Sequence, residues 1–161
     1  MTDTRFAILD RHKTNWPESY DEFWMPYAFA LHHAHESHRH HADAVIERHG
    51  LSPAEFDVLA TLRRSPPPGE LTPSEIQHAM FITSGGLTKV LQQLETRGLI
   101  TRTTSEADRR SKPVHLSPAA VKLIEQAMSE LMTVMSTAVK EKLSEKEIKD
   151  LVRLLNKARL A

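Results

Sequence analysis

The amino-acid sequence predicts a mainly α-helical fold with one small β-hairpin, and three observations carry that expectation. Hydroxyl residues stand at four helix starts: Ser52, Thr72, Ser117 and Ser144. Apolar residues after each of them recur at spacings of three and four, which lines them up on one face of a helix. Two short strand-like stretches, residues 99–103 and 113–116, are joined by a polar connection containing Asp108, Arg109 and Arg110.

The elements follow in order. Residues 1–15 are polar and read as a frayed leader. A long helix is expected from about residue 18 to 48, with Pro26 breaking or kinking its first turns because proline offers no N–H. Gly50 is its stop signal, since glycine enters the left-handed conformation that closes a helix without a Cβ penalty. Ser52-Pro53-Ala54-Glu55 and Thr72-Pro73-Ser74-Glu75 each place a hydroxyl at the cap, proline at the first helical position and glutamate three residues after the cap. That is the capping box, in which two otherwise orphaned N–H groups are satisfied reciprocally. Ser117-Pro118 repeats the cap and proline, and Ser144 with Glu147 repeats the box.

The helix after Ser52 carries Phe56, Leu59, Ala60 and Leu62 and ends at the breaker Ser65-Pro66-Pro67-Pro68-Gly69. The helix after Thr72 is short and carries Ile76, Ala79 and Met80. Thr83 or Ser84 caps a third, with Leu87, Val90, Leu91 and Leu94 as its apolar stripe and Gly98 as its stop. Beyond the hairpin, a long helix from Pro118 to about residue 143 repeats Ile124, Met128, Leu131, Met135 and Ala138. A last helix carries Ile148, Leu151, Val152 and Leu155. Both stripes need a surface to pack against.

Composition narrows the function classes. Lys+Arg and Asp+Glu both number 21, so the net charge favours no partner, but the distribution is uneven. Residues 15–57 hold eight acids against the two bases Arg39 and Arg48; residues 83–112 hold six bases against three acids. A neutral chain can still meet phosphate through one basic surface. With no cysteine, the chain makes no disulfide, thiolate metal site or thiol redox sensor. No apolar run approaches the roughly 20 residues that span a bilayer, and no signal-peptide pattern opens the chain, so a cytoplasmic location without membrane contact is expected.

Helix, short helix, helix and hairpin with a basic tip is the order of a winged helix-turn-helix. Its third helix would present Thr83, Ser84, Gly85, Thr88, Lys89, Gln92 and Gln93 away from the leucine stripe. Small residues at the helix start allow close approach, glutamine can pair with adenine, and lysine can meet guanine or phosphate. Arg109, Arg110 and Lys112 at the hairpin would reach the backbone or a minor groove. The plainer alternative is a capped amphipathic helix beside a solvated charged loop, and the ordered set of elements weighs against it.

These residues carry a family resemblance. The stretch from Gly50 to Leu59, Thr83-Ser84-Gly85-Gly86-Leu87-Thr88-Lys89, Leu94-Glu95-Thr96-Arg97-Gly98-Leu99-Ile100, and Asp108-Arg109-Arg110 with Leu116-Ser117-Pro118 resemble the MarR family of bacterial and archaeal regulators. The resemblance covers about residues 20–160. It implies a homodimer with interlocking terminal helices that binds double-stranded DNA at a palindromic operator. It also implies repression, or less often activation, relieved by a small phenolic or aromatic acid, by metal or by oxidation, of which the thiol-oxidation branch is out of reach without cysteine. Residues 1–48 would then be an N-terminal extension and dimerisation helix, 49–117 the DNA-binding domain and 118–161 the C-terminal dimerisation helices. Trp16 and Asp57 further resemble the family's urate-responsive subgroup and are candidate effector contacts, although Lys89 or Val90 stands where that subgroup carries an arginine.

Two other readings compete. His32, His33, His35, His38, His40 and His41 crowd ten residues, with spacings that suit Zn²⁺ or Ni²⁺, so the helix could belong to a metal sensor. Six rings distributed around a helix do not converge, which favours a polar face with no metal and no other cofactor. Glu36 among these histidines is the one constellation a metal-dependent enzyme could use. No phosphate loop, nucleophile elbow or metalloprotease motif is present, and no enzyme is expected.

Overall fold

The computed structural model describes residues 7–67, 69–80, 83–102 and 113–159. In chain order the elements are α1 (Ala7–Asn15), a 3₁₀ turn (Pro17–Ser19), α2 (Trp24–Arg48), α3 (Pro53–Arg64), β1 (Glu70–Leu71), α4 (Pro73–Ala79), α5 (Ser84–Thr96), β2 (Ile100–Arg102), β3 (Val114–Leu116), α6 (Pro118–Lys140) and α7 (Glu145–Lys157). The chain divides into two compact units, one up to His41 and the other from Ala42 onward.

The first unit corrects the expected frayed leader, because residues 7–15 form a helix. Leu9 is buried, and Lys13 Nζ reaches forward to Glu22 Oε1 at 2.9 Å and lies 5.5 Å from the centre of the Tyr20 ring. The long helix also begins later than residue 18. Asp21 sets its start: Oδ1 accepts the N–H groups of Trp24 at 2.6 Å and Phe23 at 2.9 Å, which holds the Asp21 carboxyl below its usual range. Pro26 is the third residue of α2, where the missing N–H would have had no helical partner, so it breaks nothing.

In the second unit the caps form as expected. Ser52, Thr72 and Ser144 each close a reciprocal box with the glutamate three residues on, and Thr83 and Ser117 accept the N–H groups of Gly86 and Ala120. Gly50 and Gly98 both take φ near 67°. The following N–H then reaches back five residues, Leu51 to Ile46 O at 3.4 Å and Leu99 to Leu94 O at 2.9 Å, the closure that requires a left-handed residue. Each closure turns its leucine into the core.

That core is shared by nearly every element. Val45 and Ile46 of α2, Phe56, Val58, Leu59 and Leu62 of α3, Ile76 of α4, the α5 stripe, Ile100, Val114, and Ala120, Ile124, Ala127 and Leu131 of α6 form one cluster. The end of α2 is also tied to α6, where Glu130 accepts from His49 at 2.7 Å and pairs with Arg48 at 2.6 Å. The His49 bond first, then Arg48, keep the Glu130 carboxyl below its usual range.

The sheet has three strands in the order β1-β3-β2, all antiparallel. The expected hairpin is shorter, Ile100–Arg102 against Val114–Leu116, with Thr101 opposite His115. Strand β1 is an addition: Glu70 and Leu71 pair with His115 and Val114. Two residues are too few to show alternation, so only the pairing makes them a strand.

Helix α6 ends at Lys140 rather than near residue 143. Its stripe is split in role, since Ile124 and Leu131 complete this chain's own core while Met128, Met135 and Ala138 are only half-buried; Met132, beside the stripe, is exposed. Helix α7 has no buried residue at all, and Leu151, Val152, Leu154 and Leu155 are exposed. No described helix is long and apolar enough to cross a membrane.

Candidate nucleic-acid interface

Helices α4 and α5 form the helix-turn-helix pair, and α5 is sharply two-sided. Leu87, Val90, Leu91 and Leu94 are buried, whereas Thr83, Ser84, Gly85, Thr88, Lys89, Gln92 and Gln93 are all exposed. The 3.6-residue period makes one stripe exclude the other. Thr83 caps the helix with Oγ1 accepting Gly86 N–H at 3.2 Å. The Thr88 hydroxyl donates to the Ser84 carbonyl at 3.0 Å, which leaves its methyl and its oxygen lone pairs outward. Gly85 has ordinary helical geometry, and a Cβ there would meet nothing within 4 Å, so the fold itself does not require glycine at this position. Lys89, Gln92 and Gln93, with Thr96, Arg97 and Glu55, line a shallow groove of about 370 Å³.

Two contacts that hold α5 were not legible as such in the sequence. Arg97, its C-cap residue, donates to Glu55 Oε1 at 2.7 Å and to the Gly50 carbonyl at 2.9 Å. Glu95 Oε2 lies 3.2 Å from Arg102 Nε at the root of the hairpin, an electrostatic contact in which that buried nitrogen completes no hydrogen bond. In sequence, Glu55 reads as a capping residue and Arg97 and Arg102 as part of a basic excess. Arg109, Arg110 and Lys112 lie outside the described residues.

The two candidate effector contacts fall in different units. Trp16, in the first, is exposed and stacks on His12 with centroids 5.7 Å apart and planes 9° from parallel. Asp57, in the second, stands on the outer side of α3. Desolvation by its surroundings raises its carboxyl pKa, Arg64 opposes the rise and Asp43 adds to it. A carboxyl raised by folding stabilises the fold only below its unfolded value, about 3.9, and loses that contribution as pH climbs through the raised one. At pH 7 its charge is therefore a net cost. Asp57 is exposed, so water screens most of this effect, and Asp57→Asn is expected to raise the melting temperature only slightly at pH 7, with the gain vanishing below about pH 4. Calorimetry at the two pH values checks this; a loss of stability at pH 7 would assign Asp57 a structural role.

A cavity of about 320 Å³ lies between α3 and α6, lined by Ala60, Arg64, Ile124, Met128, Ser129 and Met132 and by Arg63 and Glu125, which pair with each other at 2.6 Å. It is mostly apolar, and Arg64, whose Nε donates to the Ala60 carbonyl at 3.0 Å, stands at its edge.

The histidines of α2 turn to local partners. His38 and His41 donate from Nδ1 to the carbonyls of Ala34 and Ser37, each at 2.7 Å, and His33 packs against Phe29 at 4.2 Å between centroids. Among the described residues no three His, Asp or Glu side chains are grouped so as to hold a metal ion.

Comparison with known proteins agrees with this geometry. The sequence pattern of the MarR family matches residues 49–111. The transcriptional regulator PecS of Dickeya dadantii is 40% identical over 88 residues, 55% of this chain and about half, 53%, of PecS. An uncharacterised HTH-type transcriptional regulator of Bacillus cereus is 31% identical over 112 residues, 70% of this chain and 72% of that protein. The structure of Bordetella bronchiseptica BpsR, described as regulated in its DNA binding by 6-hydroxynicotinic acid, superposes with a TM-score of 0.71 at 25% identity, covering 86% of this chain and 96% of that one. On this fold, these matches and the two-sided α5, the chain belongs to the MarR family of winged helix-turn-helix transcriptional regulators.

Proposed function

We propose that the protein is a sequence-specific repressor that binds a palindromic duplex operator as a homodimer and releases it on binding a small aromatic acid. The observation that carries the DNA reading is the exposed face of α5, seven polar or small residues over a stripe seated entirely in the core. A helix about 10–12 Å across fits a major groove about 12 Å wide. Thr88, Lys89, Gln92 and Gln93 then lie at the base edges, Thr83, Ser84 and Gly85 approach the backbone, and Arg109, Arg110 and Lys112 meet neighbouring phosphates. In this reading residues 49–117 read DNA, and residues 1–48 and 118–161 join the two protomers. The test is selection from a random-sequence duplex library by the full chain. Enrichment of a two-fold symmetric sequence supports the proposal, and binding that tracks charge alone, with no enriched sequence, sinks it.

The effector reading rests on separate observations. The largely apolar cavity between α3 and α6, with the Arg64 guanidinium in its lining, has the chemistry for a flat ring with one carboxylate. BpsR supplies a relative whose DNA binding responds to an aromatic acid. Salicylate, urate or 6-hydroxynicotinate is expected to raise the melting temperature and weaken duplex binding, with both responses reduced by Arg64→Gln in the cavity wall; the same measurements on Asp57→Asn and on Trp16→Ala test each of those residues separately. If none of the three compounds moves either signal, the effector class is wrong.

A further inference from the structure

We infer that Arg97 and Glu55 are positioning residues for α5, an ionic bolt that sets how the DNA-facing helix is presented; the inference rests on the DNA-binding reading above. Three capping boxes in this chain provide an internal comparison. In all three, one glutamate oxygen accepts the cap residue's backbone N–H and hydroxyl: Glu55 from Ser52, Glu75 from Thr72 and Glu147 from Ser144. Glu75 and Glu147 are exposed, which is all that capping needs. Glu55 is different: it is the one charged residue buried among those described, with its side chain 8% exposed, and its second oxygen is given to Arg97.

The forces on Glu55 agree with that geometry. Burial, the largest influence, pushes its carboxyl pKa up. Hydrogen bonds from Ser52 and Arg97 and the Arg97 charge outweigh burial and leave the carboxyl below its usual range, hence ionised. Arg97 is equally committed. One arm of its guanidinium takes Glu55 in the first turn of α3, and the other takes the carbonyl of Gly50, the residue that closes α2. The planar fork is what lets one side chain serve two elements at once, and lysine cannot copy it.

Stability alone is a poor reason for such a pair, because Glu55 loses its hydration on burial while Arg97, with its side chain 37% exposed, offers an attraction that water screens. Direction is the better reason. The leucine stripe of α5 holds the helix to the core through contacts that are roughly proportional to area and not directional, so they tolerate small slides and rolls. Lys89, Gln92 and Gln93 share a groove with Glu55 and Arg97, so a bolt at the C-terminal end of α5 fixes the rotation of those side chains. Base reading needs placement within about 0.5 Å and 10–20°, whereas phosphate contact does not.

The test uses the full chain with Arg97→Lys, Glu55→Gln and the double variant. Two probes are needed: the duplex enriched by the wild-type protein and a shuffled duplex of the same length. Arg97→Lys and Glu55→Gln are expected to weaken the enriched duplex about tenfold or more, comparable to misreading one base pair, while the shuffled duplex changes less than about threefold. The double variant should be no worse than the worse single, because both break one bolt. A lower melting temperature with an unchanged ratio between the two duplexes would make the pair merely structural and overturn the inference. Should Glu55→Gln fail to fold, Arg97→Lys carries the test through the same ratio. Amide hydrogen exchange separates the inference from the reading beneath it. Exchange in α5 should quicken relative to α6 in Arg97→Lys, and unchanged exchange overturns the bolt. Quickened exchange in a protein that enriches no duplex leaves the bolt standing and removes the DNA reading.

Discussion

Replacing Leu151 and Leu155 with glutamate is expected to convert a particle of about twice 18.3 kDa into one of the chain mass, with a large fall in melting temperature. Helix α7 is capped as firmly as any helix in the molecule, with Ser144 and Glu147 closing a full box, yet none of its side chains is buried in its own chain. Leu151, Val152, Leu154 and Leu155 lie exposed, and Met132 of α6 does too. An isolated helix of this length is marginal in water, so its stability must come from packing its apolar face. Fully burying one such side chain contributes about 1.5–3 kcal/mol, and a two-fold axis counts every contact twice. Two glutamates on that face would place four charges in the joint interface, at a cost of several kcal/mol. Sedimentation at low micromolar concentration is the measurement. A wild-type protein of single-chain mass would show that this face has no symmetric partner.

The second large effect concerns how DNA is read. Gln92→Ala and Thr88→Ala are expected to change which base pairs are preferred, losing about 1–3 kcal/mol on the enriched duplex and little on others. Arg109→Ala and Arg110→Ala should instead weaken all duplexes alike. Each phosphate contact removed should lower the slope of log affinity against log salt by about 0.9 between roughly 50 and 200 mM salt. The contrast follows from charge placement. The chain is neutral overall, so its attraction to phosphate must come from local cations, while the face of α5 offers one lysine among hydroxyls and amides. Fluorescence anisotropy across that salt range separates the two classes. If removing both arginines left the slope unchanged, they would have no phosphate role; if Gln92→Ala weakened every duplex equally, α5 would not be the reader.

What the sequence determined by itself is local. The caps at Ser52, Thr72, Ser117 and Ser144, a cap at Thr83 or Ser84, the stops at Gly50 and Gly98 and the two faces of α5 all depend on residues within about five positions of each other. Hydrogen bonds to the chain's own backbone and a 3.6-residue period decide them, and neither needs a tertiary neighbour. Helix α1 escaped this reading because its polar stretch has little amphipathic signal and is anchored by Leu9 and by Lys13 on Glu22. The start of α2 escaped because Asp21 makes an ordinary side-chain cap that Pro26 obscured.

Tertiary structure alone decided the rest, and in each case the cause is sequence distance. Strand β1 exists only because residues 114 and 115 pair with 71 and 70. Which part of the α6 stripe is core and which faces outward depends on what α3 covers, since periodicity marks an apolar face without naming what it meets. Glu55 and Arg97 lie 42 residues apart, and each has an adequate local explanation, one as a cap and the other as a surface base. Burial is what turns them into a pair: a carboxylate taken out of water must find a cation, and the fold brings that cation from the end of the helix that faces DNA in the proposed complex.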